Sequence, residues 1–202
     1  MTPHTLDISP ARALRIAVIV GSLRRDSTTR RIARAAIARA PRGMQCDVVD
    51  IGDLPHFNQD LEPVPPAAWV TFRQAMSDAD GVLFFTPEYN RSFPGCLKNA
   101  IDIGARPQGS TLWSGMPAGI VSVSPYGMGG FGANHALRQT FVYLNMSAMQ
   151  QPEAYIAMAE TLMDAAGTVT RDATDKFLRH YMQSFADWVH LVRSPVLAAA
   201  GT

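Results

Sequence analysis

Apolar residues in this chain fall into short runs that alternate with amphipathic stretches. Residues 14–20, LRIAVIV, are nearly continuous and β-branched, end at Gly21, and read as a buried strand. Over 28–40, Ile32, Ala33, Ala36, Ile37 and Ala40 recur at helical spacing, with four arginines on the remaining surface, and Pro41 and Gly43 mark the stop. Residues 44–51 predict a second strand. A proline-rich loop at 52–66 leads into a helix at 67–78, with Trp69, Phe72 and Met76 on one face as core. Residues 80–86, DGVLFFT, form the third strand and 95–105 a helix. After a Gly-, Pro- and Ser-rich connection at 106–116, residues 118–124 form the fourth strand. A helix at 132–146 carries Leu137, Phe141 and Leu144, and a short fifth strand is expected at 148–151. The last helix has a broad stripe from Phe177 through Tyr181, Phe185 and Trp188 to Val192. Asp172, Thr174 or Asp175 is its expected cap, and Pro195 its expected end.

Strands that alternate with helices imply an α/β protein with a five-stranded parallel sheet and helices on both faces. Ligands in such folds bind beyond the carboxyl ends of the strands, which directs attention to residues 21–27, 50–66, 87–94 and 124–131. The length of 202 residues suits a single domain, expected to be frayed at 1–12 and 194–202. Hydrophobic residues at 47 % and charged residues at 17 % exclude a disordered chain. Lys+Arg 18 against Asp+Glu 17 gives +1, which supplies no general attraction to nucleic acid or to an anionic membrane. No apolar run is long enough for membrane insertion. Cys46 and Cys96 form no metal-ligand pattern and are expected as reduced thiols in a cytoplasmic protein.

The first loop, Gly21-Ser22-Leu23-Arg24-Arg25-Asp26-Ser27-Thr28-Thr29, lacks the Lys-Ser/Thr pair of a triphosphate-binding loop. It does hold the elements that bind one phosphate: backbone N–H groups at a helix start, the hydroxyls of Ser22, Ser27, Thr28 and Thr29, and the guanidinium of Arg24. The plain alternative is that Ser27 or Thr28 caps the helix. The loop after the third strand, Pro87-Glu88-Tyr89-Asn90, offers a rigid backbone, an aromatic face and an amide, which suit a flat heterocycle. An ordinary turn punctuated by Pro87 and Asn90 would have the same composition.

GSLRRDS-x-x-R after a first strand, TPEYNRSFPGCLKNAID after a third, and LRQTFVYLN…QQPEAYI at 137–156 together resemble the NADPH-dependent FMN reductase family of flavodoxin-like proteins, across residues 14–156. The family includes bacterial quinone, chromate and azo-dye reductases. The resemblance implies a three-layer flavodoxin-like sandwich, FMN as cofactor and NADPH or NADH as electron donor. It implies that Ser22, Arg24, Ser27, Thr28 and Thr29 hold the FMN phosphate. Pro87, Glu88, Tyr89 and Asn90 would line the isoalloxazine, with Ser124, Pro125, Tyr126 and Gly127 at its other edge. The chemistry would then lie at flavin N5, with no catalytic side chain and no metal, and would proceed by a ping-pong mechanism to quinones or to chromate, azo or nitro compounds. A homodimer or homotetramer is implied as well. The chain departs from the family pattern at Thr29, in place of a common Asn; at Cys96, in place of a small or aliphatic residue; and at Ile103-Gly104, in place of a Trp-containing pair.

Gly127-Met128-Gly129-Gly130-Phe131-Gly132 also matches G-x-G-x-x-G between a strand and a helix, with Glu153 about 20 residues on. Three βα units precede it, whereas a dinucleotide fingerprint opens its domain, so a glycine-rich edge beside a flat ring is the better reading. His56 and Trp113 are expected to flank the pocket from long loops, and the arginines of the first helix to form a solvated face. Two rival functions share the fold. A flavodoxin-type electron carrier would be strongly acidic. A non-catalytic FMN-binding module would hold flavin but accept electrons from NAD(P)H slowly.

Overall fold

The computed structural model describes residues 12–194. Its elements are β1 (Leu14–Val20), α1 (Thr28–Ile37), β2 (Met44–Val49), α2 (Ala67–Ser77), β3 (Gly81–Pro87), α3 (Gly95–Ala105), β4 (Pro117–Val123), α4 (Phe131–Tyr143), β5 (Ser147–Ala148), β6 (Ala154–Ile156) and α5 (Asp172–Val192). All strand pairs are parallel, in the order β2-β1-β3-β4-β5, the flavodoxin-like arrangement. Side chains alternate across the pleat and build two cores. Ile16, Val18, Leu83, Phe85 and Val121 face α1 and α5; Ala17, Ile19, Val82, Phe84 and Ile120 face α2, α3 and α4. Burial on both faces explains why these strands read as continuous apolar runs.

α5 lies close against the sheet because β3 and β4 carry glycine beneath it. A Cβ on Gly81 would stand 2.9 Å from Val189, and one on Gly119 would stand 2.9 Å from the Tyr181 hydroxyl. That hydroxyl, in a fully buried side chain, donates to the Ile120 carbonyl at 3.0 Å.

Several expectations change. The fifth strand is two pieces: β5 pairs with Pro117–Ala118 and β6 with Val121–Val123, so 148–151 is not one strand. Pro152 lies in the gap and has no N–H to offer a ladder. α1 ends at Ile37 rather than residue 40, as Pro41 disfavours helical backbone at the residue before it. α5 has Arg171 at its N-cap with no side-chain cap bond, so none of Asp172, Thr174 and Asp175 caps it. Asp175 instead accepts from Arg39 at 2.8 Å and Arg179 at 2.7 Å. Pro195 and all but Arg12 and Ser194 of the ends expected to fray, 1–12 and 194–202, lie outside the described residues. Arg12 is held: its guanidinium donates to the buried Asp80 at 2.6 Å, and Arg193 approaches the same carboxylate at 3.4 Å.

Candidate functional site

The sheet order places the switch point between β1 and β3, and the loops after β1, β3 and β4 converge there. The first loop is fixed at its root by the Gly21 N–H, which donates to the Phe85 carbonyl at 2.8 Å. Arg30 braces it by donating to the Ser22 carbonyl at 3.3 Å. Ser27 caps α1: its hydroxyl oxygen accepts from the Arg30 N–H at 3.1 Å. The cap and the anion site are not exclusive, because the Ser27 O–H proton remains available to donate. Ser22, Ser27 and Thr29 are buried polar side chains, and among the described residues no protein acceptor takes the N–H groups of Thr28 and Thr29. Donors of this kind at a helix start are the type that can hold one phosphate.

The second loop folds back on itself at once. Tyr89 and Ser92 exchange backbone hydrogen bonds of 2.9 and 3.0 Å around Asn90 (φ 52°) and Arg91 (φ 64°), a two-residue turn with both central residues left-handed. The turn reading is therefore correct for Asn90, while Pro87, Glu88 and Tyr89 line a cavity. Glu88 joins two loops: one carboxylate oxygen accepts from Arg91 at 3.0 Å and the other from the Ala133 N–H, in the first turn of α4, at 3.2 Å.

That second bond bears on the glycine-rich motif. A dinucleotide fingerprint needs the α4 N-terminus for a pyrophosphate, but here a protein carboxylate already takes that position. The glycines have packing reasons. Gly129 (φ 60°) and Gly130 (φ 78°) are left-handed, and a Cβ on them would come within 2.8 Å of Tyr155 and 2.9 Å of Ser122.

Ser22, Arg24, Ser27, Thr28, Thr29, Pro87, Glu88, Tyr89, Ser124, Pro125 and Tyr126 line one cavity of about 220 Å³. Asn90 and Gly127, expected there, do not line it. Val123 and Glu160 do, and sequence reasoning missed both: Glu160 arrives on a short 3₁₀ turn at Ala159–Thr161 that follows the split fifth strand. Hydroxyl side chains and the helix-start N–H groups line it together with Tyr89 and Tyr126, whose side chains are exposed. Cys96 lies beneath the first loop, with its Sγ 3.6 Å from the Gly21 carbonyl; burial pushes its thiol pKa up.

The 52–66 loop, His56 and Trp113 do not take part in this cavity. Asn99 ties the loop to α3, accepting from the Phe57 N–H at 2.7 Å and donating to the Leu54 and Pro55 carbonyls. Trp113 is fully buried and donates to the Ile101 carbonyl at 2.8 Å. Its indole lies over Gly104, where an added Cβ would come 2.3 Å from the ring, so the Ile103-Gly104 departure makes room for this tryptophan in the core. A larger apolar cavity of about 360 Å³ lies by Phe57, Trp69 and Ile103. Its polar groups are already paired: Arg106 with Glu62 at 2.6 Å, and Arg73 with the Ser110 carbonyl at 2.7 Å.

Comparison with known proteins agrees with this geometry. A family model described as NADPH-dependent FMN reductase matches residues 14–161. A quinone reductase of Pseudomonas putida is 53 % identical over 180 residues, covering 89 % of this chain and 96 % of that protein. A 2-hydroxy-1,4-benzoquinone reductase of a Burkholderia species is 45 % identical, covering 88 % and 97 %. Among solved structures, the Paracoccus denitrificans flavoenzyme FerB, an NAD(P)H:(acceptor) oxidoreductase, superposes with a TM-score of 0.84 at 37 % identity, covering 88 % and 98 %.

Proposed function

Because the chain belongs to the NADPH-dependent FMN reductase family, we propose that it binds FMN in the cavity after β1, β3 and β4 and passes electrons from NAD(P)H to quinones. The observation that carries the assignment is the make-up of that one cavity: serine and threonine hydroxyls, the free N–H groups of Thr28 and Thr29, and two exposed tyrosines line it together. The donor set fits a phosphomonoester, and the shallow, partly apolar mouth fits a flat ring. Ser22, Arg24, Ser27, Thr28 and Thr29 hold the phosphate. Pro87, Glu88 and Tyr89 border one side of the ring, and Ser124, Pro125 and Tyr126 the other.

Bound FMN supplies hydride acceptance and electron release. The protein's part is to position, shield and admit. Glu88 holds the second and third loops at a fixed separation through Arg91 and the Ala133 N–H. Arg30 and the Ser27 cap keep the phosphate loop formed before any ligand arrives, which lowers the entropic cost of binding. Tyr89 and Tyr126 leave one mouth open, so donor and acceptor use it in turn, by a ping-pong mechanism. Chromate, azo and nitro compounds are secondary acceptors in this reading. Exposed apolar residues on α4, Phe131, Val142 and Tyr143, support a homodimer or homotetramer.

Initial rates with NADPH and a benzoquinone, each varied against fixed levels of the other, test the proposal. Parallel double-reciprocal lines are expected. Intersecting lines would show that both substrates occupy the site together, and negligible turnover would favour an electron carrier or a non-catalytic FMN-binding module.

A further inference from the structure

Beside the flavin cavity lies a second one, of about 410 Å³, and its lining is strongly basic. Arg25 comes from the phosphate loop. Arg30, Arg31 and Arg34 come from α1, where spacings of three and four bring them to one side of the helix. The opposite wall is Ala165 and Ala166, whose small side chains leave the space open. Asp26 is the one carboxylate in the lining, so four guanidinium groups face one countercharge. Among the described residues none of these arginines forms an ion pair, although Arg39 on the same helical segment pairs with Asp175 at 2.5 Å. Arg30 and Arg31 are held by backbone carbonyls alone, those of Ser22 and Asp164. The Asp164 carboxylate turns away and accepts from the Thr168 N–H at 2.8 Å.

Arg25 and Arg34 are exposed and Arg30 and Arg31 half-buried, so four like charges share one open recess and repel one another. An anion gripped by several guanidinium groups would relieve that repulsion, and a phosphomonoester dianion matches their planar donors. The donors suited to the FMN phosphate lie in the other cavity, so this one is left for a second phosphate. The two cavities meet at Ser27, which lines both. We infer that Arg25, Arg30, Arg31 and Arg34 bind the 2′-phosphate of NADPH and set a preference for NADPH over NADH. This inference rests on the reading of NAD(P)H as electron donor, and it assigns a specificity site to arginines that the chain pattern alone places on a solvated face.

The test uses the FMN-loaded protein, so that the flavin phosphate is not the ligand measured. Calorimetric titration compares 2′,5′-ADP, 5′-AMP and inorganic phosphate. Steady-state kinetics compare NADPH with NADH in the native chain and in the surface variant Arg25→Gln/Arg34→Gln. The expected results are that 2′,5′-ADP binds at least about tenfold more tightly than 5′-AMP or inorganic phosphate, and that the variant loses roughly ten- to a hundredfold in kcat/KM for NADPH through KM, with NADH within about twofold of native. The preference should fade as pH falls through about 6, where a phosphomonoester gains its second proton. Equal native kcat/KM for the two donors, or an equal loss for both in the variant, overturns the inference while leaving the reductase reading intact. Inorganic phosphate binding as tightly as 2′,5′-ADP overturns the nucleotide assignment in favour of a free-anion site. If neither donor is oxidised, the reductase reading fails, and with it the assignment to NADPH; the titration then shows separately whether the arginines bind a phosphomonoester.

Discussion

Gly104→Ala tests the account of how this chain departs from its family's pattern. In an ordinary helix interior the exchange stabilises by about 1 kcal/mol, because alanine loses less backbone freedom. Here the new Cβ would stand 2.3 Å from Trp113 Cζ2, 2.5 Å from Cε2 and 2.8 Å from Nε1. Trp113 is fully buried against Phe84 at 6.1 Å between ring centres, so its indole must shift into packed neighbours, a strain of about 1–3 kcal/mol. The shift also stretches the 2.8 Å bond from Nε1 to the Ile101 carbonyl, and leaving that buried donor unmade costs about 1–3 kcal/mol. After the helix gain is subtracted, the net loss is about 3 kcal/mol, or roughly 6–12 °C in Tm for a domain of this size. Urea and thermal unfolding of Gly104→Ala, Trp113→Phe and the double variant measure it. Phenylalanine lacks the fused second ring and with it Cζ2, the atom the Cβ meets most closely, so the double variant should be more stable than the sum of the singles by about 1 kcal/mol or more. A neutral or stabilised Gly104→Ala protein would refute the packing argument.

Two further predictions concern the site and a third concerns a half-buried thiol on β2. Arg24→Ala removes a charge-assisted phosphate contact and should weaken FMN binding by about 1–3 kcal/mol in a fluorescence titration; unchanged affinity would place the phosphate elsewhere. Glu88→Gln keeps the shape but loses the charge that faces Arg91 and the Ala133 N–H, and should cost about 1 kcal/mol of stability with faster amide exchange confined to 127–133, which hydrogen-exchange mass spectrometry resolves. Burial and the neighbouring Asp47 push the Cys46 thiol up to about 11, and burial raises Cys96 as well. Since the thiolate is the reactive form, Cys46 in the native protein at pH 8 should alkylate about a hundredfold more slowly than in urea, the gap closing as pH rises toward 11; equal rates would contradict the burial.

The centre of the sheet was legible because β1, β3 and β4 are covered on both faces, so their sequences are nearly uninterrupted apolar runs. The span of α3 followed from the proline before Gly95 and the Gly/Pro-rich stretch after Ala105. The loop after β1 was legible as a candidate anion site because its hydroxyls precede a helix start, and the convergence of the loops after β3 and β4 on it is expected from the sheet topology. What escaped depends on partners distant along the chain. Trp113 looks like a loop residue until Gly104 is seen beneath it. The 52–66 segment looks mobile until Asn99 of α3 pins it. Glu160 reaches the site only because the fifth strand breaks and the chain turns back at Ala159–Thr161. The arginines of α1 have helix-surface spacing, and the wall that turns this surface into a recess comes from residues 165–166, far along the chain.

The most direct measurement of the central claim is the visible spectrum of the purified protein with FMN, followed by addition of NADPH without oxygen and then of a benzoquinone. The account predicts bound-flavin bands that bleach with NADPH and return with the quinone. A protein that takes up no FMN would contradict the cavity assignment, and flavin that stays oxidised under NADPH would contradict the reductase reading.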